Sequence, residues 1–191
     1  FVDILSRNRP GTLTEKQMEQ IEVMRRNGHR LGGLIDDLID ISQIDSGRLE
    51  LAVQPFEVNQ MVQDLATSFE PIAKQKSQSV VVTISERPVW IKADQDRIAQ
   101  VVANLLANAT KYSEPDTIIR VAAQVDDDGV DVLRLEVSDS GIGIGDEDIA
   151  NVFGPFFRAN NVETRRVSGT GLGLAIAKTI VDMPQGKILV R

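Results

Sequence analysis

Residues 96–113 read Asp96-Arg97-Ile98-Ala99-Gln100-Val101-Val102-Ala103-Asn104-Leu105-Leu106-Ala107-Asn108-Ala109-Thr110-Lys111-Tyr112-Ser113. Ile98, Val101, Val102, Leu105 and Leu106 recur at spacings of three and four, the period of a helix with one buried face. Asp94, just upstream, is a residue type that accepts from the free amides of a helix start. Asn104 and Asn108 are four apart and share a face of that helix. Lys111, Tyr112 and Ser113 close it. Neutral amide oxygens can complete the shell of a hard cation such as Mg²⁺, which keeps several waters and takes substrate phosphates as ligands. Lys111, one turn on, is within reach of such a phosphate. The plainer reading, asparagines on a solvated face, is weakened by the apolar residues around them but stands beside the first.

Outward from this helix, the pattern alternates between strand and helix signals. Residues 58–75 place Val58, Met61, Val62, Leu65, Phe69 and Ile72 on one helical face. Val80–Ile84 and Val89–Ile91 read as strands, as does the alternation Leu49, Leu51, Val53. Ile118–Val125 and Val130–Ser138 form two alternating strands about the acidic turn Asp126-Asp127-Asp128-Gly129. A short helix is expected at 146–152, another helix at about 171–183, and a last strand from Lys187 to Val190. This grouping predicts an α+β fold, a two-layer α/β sandwich with a mixed sheet. Residues 154–170 are irregular and rich in Gly, Asn, Arg and Ser. Stretches of this kind in a compact domain are lids, binding loops or disorder.

The first fifty residues differ. Thr14 and Gln17 have capping-box spacing. Ile21, Met24, Gly28, Leu31, Ile35, Leu38 and Ile41 then make a near-heptad stripe. The helix would run roughly 45 Å. So narrow a stripe needs a partner. Phe1–Arg7 reads as the tail of one, joined through Asn8-Arg9-Pro10-Gly11. Two expectations are open: a four-helix bundle made by dimerisation, or an ordinary intramolecular bundle. The boundary falls at Gly47, giving a helical hairpin over 1–47 and a second domain over 48–191.

Composition narrows the chemistry. The chain has 191 residues, 42% hydrophobic and 26% charged, enough apolar material for a core. It has no cysteine, which excludes disulfides, thiolate metal sites and a cysteine nucleophile. Its single histidine, His29, argues against a multi-histidine zinc site and most histidine-based triads. The net charge of -7 argues against a nucleic-acid-binding surface. No apolar run approaches the ~20 residues of a membrane span, so no membrane contact is expected from this stretch. The chain begins at Phe1 and stops inside an expected strand, so it reads as part of something longer.

Two glycine clusters remain. Asp139-Ser140-Gly141-Ile142-Gly143-Ile144 follows a strand. Its glycines permit positive φ and close approach of a ligand to the backbone. Its acidic first residue suits an exocyclic amine better than a phosphate. A tight turn with Asp139 bonding local amides is an equally good account. Gly169-Thr170-Gly171-Leu172-Gly173-Leu174 opens a helix, where backbone N–H groups bind anionic oxygens. No Lys-Ser/Thr follows, so this is not a P-loop. A Rossmann unit fits poorly as well.

In this order the three clusters resemble the N box and the two glycine boxes of the sensor histidine kinases, members of the ATP-binding superfamily that includes the gyrase-type ATPases. Phe153, Phe156 and Phe157 resemble the family's F box. Leu34–Gly47 resembles the second helix of its dimerisation and phosphotransfer domain. The resemblance implies ATP and Mg²⁺ as cofactors. It implies that Asn108, supported by Asn104, holds the metal, that Lys111 contacts phosphate and that Tyr112 lies near the nucleotide. Asp139 would recognise the adenine amino group, with Gly141 and Gly143 shaping the pocket. Gly169, Thr170, Gly171, Leu172 and Gly173 would hold the end of an ATP lid over 154–170, anchored by Phe156 and Phe157. Arg158, Arg165 and Arg166 would bring positive charge there, or simply belong to a solvated loop.

The implied partners are a response-regulator receiver domain and a second copy of the chain. The implied location of this stretch is cytoplasmic, whether or not the full-length protein is membrane-anchored. Gyrase-like members carry a water-activating Glu where this chain has Asn104, which favours a kinase over a water-splitting ATPase. The family's acceptor His would lie about three helical turns upstream of Phe1. His29 has no acidic neighbour and no following Pro, and is expected to be exposed and structural. The chain is therefore expected to bind Mg-ATP without phosphorylating itself. Gly154, where the family usually has an acidic residue, and Pro184, which should end its helix early, motivate an alternative: a degenerate, non-catalytic nucleotide-sensing dimerisation or scaffold module.

Overall fold

The computed structural model describes residues 13–126, 132–159, 169–183 and 186–190. The chain divides into two compact units, Phe1–Leu49 and Glu50–Arg191. The first is built on helix α1 (Glu15–Asp45), which spans about 46 Å. Its start is the expected capping box: the Thr14 hydroxyl accepts from the Gln17 amide (3.3 Å) and Gln17 Oε1 accepts from the Thr14 amide (2.8 Å). Its end is a Schellman turn. Gly47 takes φ 63°, its N–H donates to the Ile44 carbonyl, and the Arg48 N–H donates to Gln43. Met24, Leu31, Ile35 and Leu38 of the stripe are exposed. His29 is exposed too. The expected partner segment Phe1–Arg7 and the turn Asn8–Gly11 lie outside the described residues.

The second unit runs β1 (Gln54–Glu57), α2 (Val58–Lys74), β2 (Ser79–Ile84), β3 (Trp90–Ala93), α3 (Gln95–Tyr112), β4 (Ile118–Asp126), β5 (Val132–Ser138), α4 (Asp146–Ile149) and α5 (Gly173–Asp182). The fold is α+β, with a long N-terminal helix and a mixed sheet. In that sheet β2 pairs parallel to β4 and β4 antiparallel to β5. Strands β1 and β3 form a separate antiparallel pair. Ile119, Val121 and Ala123 of β4 point into the core against Val58, Met61 and Val62 of α2 and Val102 and Leu106 of α3. On the opposite face Arg120, Gln124, Arg134 and Glu136 are exposed. No helix among the described residues is long and apolar enough to cross a membrane.

Four local expectations are corrected. Leu49–Val53 is not a strand; the ladder takes Gln54–Glu57, in register with Ala93–Trp90. Alternation marks which side chains alternate in burial, but only a hydrogen-bonding neighbour makes a strand. Lys187–Val190 is likewise not a strand, because among the described residues β5 pairs with β4 alone. The helix expected over 146–152 is a single turn, Asp146–Ile149, followed by turns. Helix α5 starts at Gly173 rather than 171, because Gly171 sits at φ 74°, outside helical space. That helix ends at Asp182 with Met183 as its cap. Pro184, Gly129 and residues 160–168, which include Arg165 and Arg166, lie outside the described residues.

Candidate functional site

Helix α3 is the spine of the site. Asp94 Oδ1 accepts from the Arg97 amide (3.1 Å) to start it, and Oδ2 accepts from the Ala52 amide (2.8 Å) to tie the start to the preceding chain. Val101, Val102, Leu106 and Ala109 are buried, which turns the Asn104–Lys111 face toward the glycine clusters. Those clusters are distant in sequence and meet at successive positions along this helix.

At Asn104, the side-chain amide donates to the Gly173 carbonyl at 3.1 Å. A Cβ at Gly173 would sit 3.3 Å from Asn104 Cγ and Oδ1, so α5 approaches this closely because residue 173 has no side chain. The bond uses the amide nitrogen and leaves Oδ1 able to accept or ligate. Asn108 is half-buried one turn on. Two turns on from Asn104, Lys111 Nζ lies 4.9 Å from the Tyr112 ring centroid, a cation–π contact. Gly169 packs against that ammonium so closely that any Cβ there would have to displace it. The Gly169 carbonyl also accepts from Arg158 Nη1 at 3.4 Å. Two cations thus converge on the last glycine before the lid end.

At the C-terminal end, Ser113 is extended and forms an isolated bridge with Gly141. The Ile142 amide donates to the Tyr112 carbonyl at 3.3 Å. Asp139 Oδ1 accepts from the Gly141 amide (2.8 Å) and from the Ser113 hydroxyl (3.4 Å). The exposed carboxylate is therefore oriented through one oxygen. Among the described residues nothing donates to Oδ2. A Cβ at Gly141 would lie 2.7 Å from both Asp139 Oδ1 and the Tyr112 carbonyl, so only glycine fits. Gly143 takes φ 71° in open space. The local turn expected around Asp139 is present, and it leaves one carboxylate oxygen facing outward.

The second glycine cluster is shaped from the other side by the phenylalanine turn. A Cβ at Gly171 would meet the Phe156 carbonyl carbon and the Phe157 oxygen, each at 2.8 Å. Phe156 itself has φ 62°, a conformation rarely adopted by a bulky residue. The residue is 64% exposed, and it is its backbone that lies against Gly171. Phe157 is half-buried, and Phe153 lies under Lys178, 5.9 Å from its ammonium. Thr170 Oγ1 accepts from the Leu172 amide (3.1 Å). Leu172 is a core residue. Among the described residues no side-chain cap is made at the start of α5, which leaves its first-turn amides open to an anion.

Ser113 is the side chain in contact with Asp139 to which no sequence signal gives a role. Its partner Asp139 is 26 residues away, and no periodicity marks such a pair.

Residues 93–191, more than half of the chain, match the family model described as histidine kinase-, DNA gyrase B-, and HSP90-like ATPase. The autoinducer 2 sensor kinase/phosphatase LuxQ of Vibrio parahaemolyticus is 35% identical over 181 residues, covering 93% of this chain and 21% of that protein. The sensor histidine kinase GacS of Pseudomonas protegens is 31% identical over 178 residues, covering 92% of this chain and 19% of that protein. The chain thus spans about a fifth of the length of these curated relatives. Among solved structures, full-length ShkA in complex with AMPPNP matches with a TM-score of 0.74 at 25% identity, over 94% of this chain and 36% of that one. The histidine kinase AdeS of Acinetobacter baumannii matches with a TM-score of 0.67 at 25% identity, over 89% of this chain and 74% of that one. The chain belongs to the histidine kinase-, DNA gyrase B-, and HSP90-like ATPase family, as a sensor histidine kinase catalytic domain homologous to LuxQ and GacS.

Proposed function

We propose that this chain is the nucleotide-binding portion of an ATP-dependent protein-histidine kinase of a two-component system. It binds Mg-ATP and directs the γ-phosphoryl group to a His on a dimerisation helix, from which it passes to an Asp of a response-regulator receiver domain. The observation that carries this reading is the convergence on α3: Asn104 at Gly173, Lys111 at Gly169, and Tyr112–Ser113 at Gly141 and Asp139.

The residues fit the nucleotide. Asp139 offers Oδ2 to an exocyclic amine, and Gly141 lets the turn close against the Tyr112 carbonyl so that its amide holds Asp139 Oδ1. Lys111, Arg158 and the uncapped start of α5 converge near Gly169, a favourable place for phosphate oxygens on a chain of net charge -7. Among the described residues no group of three or more His, Cys, Asp or Glu can hold a metal. The amide oxygens of Asn104 and Asn108 suit a hard cation that brings its remaining ligands as phosphate and water. Bound Mg-ATP supplies the phosphoryl group and neutralises its charge. The chain orients the nucleotide, and Asn104, an amide without basic character, withholds the activation of water that hydrolysis would need.

The exposed stripe on α1 is the face that a second copy would cover in a dimeric bundle. The scaffold alternative gains nothing from Gly154. A Cβ there would sit 3.1 Å from the Asn151 carbonyl, so the glycine serves the turn that closes from Gly154 N–H to that carbonyl.

Calorimetry with Mg²⁺ and ATP tests the reading. The unaltered chain binds saturably, and Asp139→Asn loses binding with an unchanged circular dichroism spectrum. Unchanged affinity in that variant refutes the role given to Asp139.

A further inference from the structure

Helices α2 and α3 run into β2 and β4, which are parallel neighbours paired from Ser79↔Ile118 onward. Parallel neighbours start at the same end of a sheet, so the last turns of both helices finish side by side. Each helix end leaves carbonyls without an intrahelical donor. The connection after α2 answers those of α3. Its Ser77 (φ 56°) accepts from the Asp116 amide at 3.1 Å, which lays it against the connection after α3. From it, Lys76 Nζ donates to the carbonyls of Thr110 (2.8 Å) and Lys111 (3.2 Å). Gln78 Nε2 donates to Ser113 (2.8 Å) and, more loosely, to Thr110 and Glu114 (3.3 Å each).

Gln78 is only 3% exposed, and among the described residues its buried Oε1 has no partner. An apolar residue of the same size would avoid the cost of that orphan oxygen. What the amide does instead is hold carbonyls at the functional end of α3. Its shortest bond is to Ser113, whose hydroxyl donates to Asp139 Oδ1.

We infer that Gln78, seconded by Lys76, is a positioning residue for the base pocket: it sets the Ser113 backbone, and through the Ser113 hydroxyl it sets the Asp139 carboxylate. The inference rests on the reading of Asp139 as the base-recognising group. Gln78, buried behind Ser113, acts through that residue and not on the nucleotide.

The probes are ADP and IDP, which differ at the exocyclic amino group. Calorimetry on the full chain with Mg²⁺ gives the ratio of their dissociation constants. The unaltered chain prefers ADP by about tenfold or more, the worth of one charge-assisted hydrogen bond. Gln78→Met keeps the volume and removes the donor, and brings the ratio below about threefold as Asp139 loses the second of its two donors and keeps only the Gly141 amide. A purely structural role would lower Tm and weaken both nucleotides together, leaving the ratio unchanged; that result overturns the inference. If Gln78→Met does not fold, Lys76→Met, at an exposed side chain, decides instead. The ratio falls there and Lys76→Arg restores it, whereas an unchanged ratio overturns the inference. An unaltered chain that binds ADP and IDP equally, or binds neither, refutes the role given to Asp139 and takes the inference with it.

Discussion

Replacing Gly171 and Gly143 by alanine separates two costs that glycine positions often combine. Both residues have positive φ, 74° and 71°. Each alanine therefore carries the left-handed penalty of about 1 kcal/mol. Around Gly143 a new Cβ meets nothing within 4 Å, so the cost stops there. At Gly171 it meets Phe156 and Phe157 backbone atoms at 2.8 Å, and backbone cannot swing aside as a flexible side chain can. Overpacking of that kind adds about 1–3 kcal/mol. Nor can the start of α5 peel away freely, since Leu172, Ile176, Ala177 and Ile180 are all at most 1% exposed. The expected losses are about 1 kcal/mol for Gly143→Ala and about 2–4 kcal/mol for Gly171→Ala. With a urea m-value of about 2 kcal/mol/M, the midpoints fall by about 0.5 M and about 1–2 M. Urea unfolding followed by circular dichroism, without nucleotide, measures both. Equal shifts in the two variants would refute the close approach of Gly171 to the phenylalanine turn.

Other expectations follow from single contacts. Gly169→Ala displaces the Lys111 ammonium, so ADP affinity by calorimetry drops about tenfold while the urea midpoint moves by less than that of Gly171→Ala. Thr14→Ala removes one half of the capping box and costs α1 about 1 kcal/mol, seen as faster hydrogen exchange in its first turn. The side-chain hydrogen bond from Arg25 holds the Glu22 carboxyl below its ordinary value, with the charges of Arg25, Arg26 and His29 assisting against desolvation. A carboxylate shifted this way favours the folded helix above its ordinary pKa and loses that contribution as pH falls through the lowered value. Carbon-detected NMR titration should show Arg25→Gln moving Glu22 upward.

The helices are legible in the sequence because their signals are local. Thr14 with Gln17, Asp94 with Arg97, and the three-four spacing of Val101, Val102 and Leu106 act within one or two turns of chain. The three clusters are legible as residue types, and their order is enough for the family. The strands are less so. Leu49–Val53 has the right alternation and Lys187–Val190 an apolar run, yet neither has a ladder among the described residues, because a strand is defined by a neighbour that can be anywhere in the chain.

The order of residues alone dictates that a helix carrying Asn104, Asn108 and Lys111 is followed by two glycine turns, one opening on an acid and one opening a helix. What those glycines are for emerges only from the folded chain. Gly141 is pressed on the Tyr112 carbonyl, Gly169 on the Lys111 ammonium and Gly173 on the Asn104 amide, so each missing side chain is the space in which α3 meets another segment. Folding also joins Gln78 to Asp139, 61 residues away, through Ser113. The physical reason is the parallel pairing of β2 with β4, which brings two helix ends, with carbonyls that have no intrahelical donor, to one end of the sheet. No periodicity in the chain encodes that meeting.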